Sequence, residues 1–152
     1  MAWWRNLISG RNDNSSGDPD YYQEGVELLR EERHHEALTS FRLALRDAPN
    51  DTDVLQQVAV TYTHIGMIDE AVRTYRRVLD LHPTAAGAHY GLAFLFLQRG
   101  RREDGITHLK AFLETPPEIP EARRHIDHAR RTLEGLTGEA APGAEADIPL
   151  GY

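Results

Sequence analysis

The sequence predicts an all-α fold: an α-solenoid of three helix-turn-helix units closed by one further helix. Three observations carry this prediction. Pro49, Pro83 and Pro117 stand 34 residues apart, and the residues between them keep register. A period of that length marks a stacked helical array, in which each unit buries its apolar face against the next. Apolar residues recur at helical intervals ahead of each proline, which cannot continue a helix and so stops it. Beyond the last proline lies one more amphipathic stretch with a narrow apolar stripe, the composition of a terminal cap.

Residues 1–17 form an aromatic segment followed by a polar linker. Trp3, Trp4, Leu7 and Ile8 fall on one side of a short helix with Arg5 beside them. Tryptophan favours the headgroup zone of a bilayer and a basic neighbour suits anionic lipid, so contact with a membrane surface or a partner is expected there. The alternative is that these tryptophans dock on the first unit or lie in the protein's own concave groove. The segment lacks the uninterrupted apolar stretch of about 7–15 residues of a secretory signal. Ala2 stands where myristoylation needs glycine, and no run approaches the roughly 20 apolar residues of a spanning helix. The expected location is the cytoplasm, with peripheral contact at the cytoplasmic membrane. Arg11 to Gly17 is polar and without periodicity.

The array is expected over 18–136, with units at 18–51, 52–85 and 86–119. Asp18 and Pro19 read as the N-cap and first position of the first helix. In the second helix of each unit, Ala37, Leu38, Phe41, Ala44, Leu45 and Ala48 form one stripe. Ala71, Val72, Tyr75, Val78 and Leu79 repeat it, as do Ile106, Leu109, Phe112 and Leu113. The small residues Gly25, Ala59 and Ala93, with Ala37, Ala71 and Gly105, let paired helices approach closely. The turn position holds Glu32, Gly66 and Gly100. The capping helix, 119–136, carries Ile119, Ala122, Ile126, Ala129 and Leu133 on one stripe and mostly charged residues elsewhere. Residues 137–152 are rich in Gly, Ala, Pro and acids, and alone such a stretch cannot offset its ordering entropy.

With these positions in hand, the chain resembles the tetratricopeptide-repeat (TPR) family over about residues 18–119. The resemblance rests on Tyr21, Gly25, Leu28, Ala37, Phe41, Ala44 and Pro49 in the first unit. The second unit supplies Leu55, Ala59, Tyr62, Gly66, Ala71, Tyr75 and Pro83, and the third Leu92, Ala93, Phe96, Gly100, Leu109 and Pro117. Departures are Glu24, Glu32, His89 and Gly105. The resemblance implies a right-handed superhelical array whose first helices line a concave surface. By register the inward residues are Tyr22, Val26, Leu29, Gln56, Val60, Thr63, Tyr90, Phe94 and Leu97, with Arg30, Gln57, His64 and Gln98 among them. Such a face suits the apolar side of an amphipathic helix or an extended peptide with aliphatic anchors. Members that clamp the acidic tail of heat-shock chaperones use cations and asparagine at set positions. Those positions here hold Tyr22, Val26, Gln57, Gly87 and Gly91, so that activity is not expected.

No catalytic constellation accompanies the repeats. The chain has no cysteine, and its net charge of -7 disfavours a nucleic-acid backbone partner. No Gly-rich phosphate loop or nucleophile elbow appears. His125 and His128 share a helix face but lack an evident third ligand, and His35-Glu36 lacks the second histidine of a zinc-protease motif. These histidines read as solvated surface, with no metal or cofactor expected. The arginine pairs read as solvated faces pairing with nearby acids. The expected function is that of a non-catalytic interaction scaffold, an accessory subunit docking onto or stabilising a larger, membrane-associated complex. A soluble adaptor that captures a helix or peptide in the concave groove is the alternative. A metal-dependent enzyme is a distant third.

Overall fold

Seven α-helices and one 3-10 turn make up the described residues, 19–138, of a computed structural model; no strand occurs among them. They are α1 (Tyr21–Arg30), α2 (His34–Asp47), α3 (Thr52–Ile65), α4 (Ile68–Leu81), α5 (Ala86–Gln98), α6 (Arg102–Glu114) and α7 (Arg123–Thr137). The turn, Pro120–Ala122, leads into α7. Each helix packs on the next in the chain, and α1 also meets α3, as α3 meets α5. This is the nearest-neighbour pattern of an α-solenoid. The expectations for Trp3, Trp4, Leu7 and Ile8, and for the tail beyond 138, fall outside the described residues.

The turn within each unit is one structure made three times. Arg33, Met67 and Arg101 donate their N–H to the carbonyls of Leu28, Tyr62 and Phe96, each at 2.9 Å. One residue earlier the backbone enters the left-handed region, at φ 62 for Glu32, 87 for Gly66 and 74 for Gly100. Such a reversal satisfies the last carbonyls of the first helix and launches the second. Glycine takes that conformation without a Cβ clash; Glu32 takes it with one. The starts of the first and last helices differ from expectation: α7 begins at Arg123, behind the turn Pro120–Ala122, where the sequence predicts a helix from 119. The α1 cap is Asp20, whose carboxylate accepts from the Gln23 N–H at 3.0 Å, while Pro19 precedes the helix and accepts from the Tyr21 N–H. Asp18 lies outside the described residues.

The core follows the repeat. Ala37, Phe41, Ala59, Ala71, Val78, Leu92, Ala93, Leu109 and Phe112 are all fully buried. At the C-terminal end, Ala122, Ala129 and Leu133 are buried, and Ile119 and Ile126 pack beside them. Polar ties join the units across their surfaces. The Arg77 guanidinium donates to the Pro49 carbonyl at 2.9 Å and to Asn50 Oδ1 at 3.1 Å. Arg99 pairs with Asp69 at 2.8 Å, and Arg102 donates to the Leu136 carbonyl.

Candidate partner-binding groove

The first helices of the units, with α7 as a fourth, enclose an open groove of about 590 Å³ on the face where α1, α3 and α5 neighbour one another. Leu29 and Arg30 stand at its α1 edge. Val60, Thr63 and His64 come from α3, and Tyr90, Phe94 and Gln98 from α5. The α2 start adds His34, α4 adds Tyr75, and α7 adds His125. Five of the nine concave residues read from the sequence therefore share this groove: Leu29, Val60, Thr63, Tyr90 and Phe94. Tyr22, Val26, Gln56 and Leu97 do not line it.

The four absent residues have packing reasons where the structure gives one. Leu97 stands in register with Leu29 and Thr63, yet it turns toward α6. Opposite it is Gly105, where the other units have Ala37 and Ala71. A Cβ on Gly105 would lie 2.6 Å from the Leu97 Cδ2, so the leucine occupies the space that alanine fills elsewhere. Tyr22 is buried against Phe41, with ring centroids 6.0 Å apart, and Val26 packs on the core. Gln56 is half-buried on α3.

A second glycine shapes the groove floor. Phe41 and Tyr75 are equivalent residues, yet their rings go to different places. A Cβ on Gly25 would stand 2.5 Å from the Phe41 ring, and one on Gly91 would stand 2.4 Å from the Tyr75 ring. The position matching Gly91 in the second unit is Gln57, and the position matching Gly25 is Ala59. Each aromatic thus lies where a missing side chain leaves room. Tyr75 reaches the groove beneath Gly91 and hydrogen-bonds with the Thr63 hydroxyl, and burial pushes its phenol well above the usual range. Thr63 donates in turn to the Ala59 carbonyl at 2.9 Å. Gln57 is fully buried, and neither polar atom of its amide has a hydrogen-bond partner.

Histidines supply much of the aromatic lining; the solvated-surface reading fails for His125 and holds for His128, which is exposed. His125 is half-buried, its ring edge-on to Tyr90 at 5.2 Å. The His128 ring lies over Phe94 at 4.8 Å and 14°. At the other end His34 and His64 stack at 4.8 Å with their planes 2° apart. Tyr90 further contacts Phe94 at 4.8 Å and Phe112 at 5.2 Å, and partial burial pushes its phenol upward. The signal for the α7 contacts was present in the sequence: two rings three apart on α7 match two rings four apart on α5. Among the described residues no group of three His, Asp or Glu side chains could hold a metal ion. The arginines are less uniformly paired with acids than their sequence suggests: Arg101 pairs with Asp104 at 2.8 Å but also lies over the Phe96 ring with Arg76.

The groove offers apolar contact, ring faces and a few amide and hydroxyl groups, an arrangement suited to holding a side-chain-rich segment. Residues 66–124 match the family model described as tetratricopeptide repeat. Over 90 residues the chain is 31% identical to photosystem I assembly protein Ycf3 of Parasynechococcus marenigrum, covering 56% of this chain and 52% of that protein. The chain thus spans about half the length of the curated relatives it matches. Among solved structures it is similar to the Yersinia enterocolitica type III secretion chaperone SycD in complex with a peptide of the translocator YopD. There the TM-score is 0.72 at 15% identity, over 80% of this chain and 96% of that one. It is also similar to the first TPR domain of RPAP3 (Spaghetti) bound to the HSP90 peptide SRMEEVD, with a TM-score of 0.63, 14% identity, and coverage of 74% and 90%.

Proposed function

We propose that this chain, whose residues 66–124 match the tetratricopeptide-repeat family model, is a non-catalytic adaptor that captures an apolar segment of a protein partner in its concave groove. Its role is that of an assembly factor or accessory subunit, holding a component of a larger complex. The observation that carries this reading is the groove itself. Tyr90 and Phe94, each half-buried, present ring surface on one open face above the buried Val60 and Leu29, while the opposite faces of the same helices are closed by the core. Apolar surface gathered into one groove signifies contact. The similar chaperone with a translocator peptide, and the similar photosystem assembly protein, support the choice of partner handling over chemistry.

The captured segment has aliphatic or aromatic anchors and no requirement for a terminal carboxylate. Of the groove residues only Arg30 carries a fixed positive charge, and it pairs with Glu27 at 2.7 Å. This separates the proposed ligand from acidic chaperone tails. The test is Phe94→Glu, which places a carboxylate among the groove rings. Affinity purification from the source cells should recover the partner with the parent chain and lose it with the variant, at equal helicity by circular dichroism. Retained capture by a folded variant would remove the groove from the account.

A further inference from the structure

We infer that the groove has an internal occupant: the segment carrying Trp3, Trp4, Leu7 and Ile8 folds back into it and is displaced when a partner binds. This rests on the groove being the partner site and adds its regulation. The segment offers two indoles and two aliphatic side chains, all of which are unfavourable to leave in water. The groove offers the half-buried rings of Tyr90 and Phe94, above the buried Val60 and Leu29, to cover them. Charge agrees with shape. Glu32 stands on the groove lip with no ion-pair partner among the described residues, and Arg5 sits amid the apolar residues of the segment.

Reach is sufficient. Ten residues separate Ile8 from Pro19, and extended they span up to about 33 Å. From the start of α1 to Leu29 is about 12 Å along the helix, and crossing from α1 to α5 takes about 20 Å at ordinary helix spacing. A short polar tether also holds the segment at an effective concentration of about a millimolar, which no free ligand matches easily. A membrane surface competes less well, since anionic lipid meets a chain of net charge -7.

The chain provides its own probe, for its two tryptophans are Trp3 and Trp4, and it has no cysteine. A nitroxide attached through Gln98→Cys, on the groove rim, quenches indole emission on close approach. The same label through Lys110→Cys, exposed on α6 and outside the groove, serves as the control. The proposal expects the Gln98 label to remove most of the tryptophan emission in dilute full-length protein, and the Lys110 label to leave it near the unlabelled level. Equal emission from both, at the wavelength of a free peptide of residues 1–12, overturns it. Quenching that disappears on dilution overturns it in favour of a second copy. Emission that shifts to the blue only on adding phosphatidylglycerol–phosphatidylcholine vesicles overturns it in favour of lipid. None of these outcomes depends on partner capture, so loss of capture in Phe94→Glu with no quenching at Gln98 would leave the adaptor reading intact.

Discussion

Glu32 shows how much a single residue departs from its repeat. It adopts φ 62 at a turn where Gly66 and Gly100 adopt 87 and 74, and its N–H still donates to the Leu29 carbonyl at 3.0 Å. A side chain in that region costs about 1–2 kcal/mol, partly offset by the greater freedom glycine has when unfolded. Glu32→Gly should therefore raise stability by about 1 kcal/mol, read as a higher denaturant midpoint at unchanged slope. An unchanged or lower midpoint would mean that the carboxylate makes up the difference. His108 sets a second test at this scale. Its Nδ1 is 3.1 Å from Nδ1 of His89, whose Nε2 is 2.9 Å from the Pro83 carbonyl. If Nε2 of His89 donates to that carbonyl in the neutral ring, Nδ1 of His108 must be the donor between the two rings. The pair can hold one proton between them and not two. Burial lowers the pKa of His108 from its usual value, aided by His89 and Arg76 and opposed by Asp104. The neutral form is thus favoured by folding. The stability it contributes is present above about pH 6.5 and lost as the pH falls through the lowered value. The denaturation midpoint should drop between about pH 7.5 and about pH 5.5, and His108→Gln should flatten that drop.

At the scale of elements, the glycines decide where second helices send their large residues. Gly91→Ala would put a Cβ 2.4 Å from the Tyr75 ring, and overpacking of this kind costs about 1–3 kcal/mol. Tyr75→Ala opens the same space from the other side. The double variant should lose less stability than the two single losses added, because each change answers the other; strict additivity would show that Tyr75 does not lie beneath Gly91. The terminal helix yields a simpler prediction. Leu133 is 2% exposed on α7, so Leu133→Ala should cost about 2–5 kcal/mol in unfolding free energy. Much of this level was legible beforehand. The 34-residue period set the helix pairs, their turns and the capping stripe, because those features depend on spacing within one helix or between neighbours. What spacing could not show was which of two equivalent rings moves where. Leu97 and Thr63 share a register, yet Leu97 fills the space beside Gly105 while Thr63 lines the groove. That choice depends on a residue missing from another helix. The same limit hid Tyr75, Gly91 and His34 from the candidate site, and it hid the packing of His125 against Tyr90.

For the whole molecule, a solenoid separates what holds it together from what it presents. The ties that join units, such as Arg77 to Pro49 and Arg99 to Asp69, lie on the surface between neighbouring elements. The groove is left to residues that the core does not need in full, Phe94 and Tyr90 being half-buried. Among the described residues no helix is long and apolar enough to cross a membrane. On the proposed reading the protein acts by being bound, and its surface can vary while its repeat stays fixed. The most direct test is to place a photoreactive amino acid at Thr63 within the groove, or at Lys110 on the exposed side of α6, and cross-link in the source cells. The account predicts that Thr63 joins one apolar stretch of a partner protein, with residues 1–8 of the chain itself as the competing product, and that Lys110 joins neither. Partner cross-links arising from Lys110 while Thr63 yields none would contradict it.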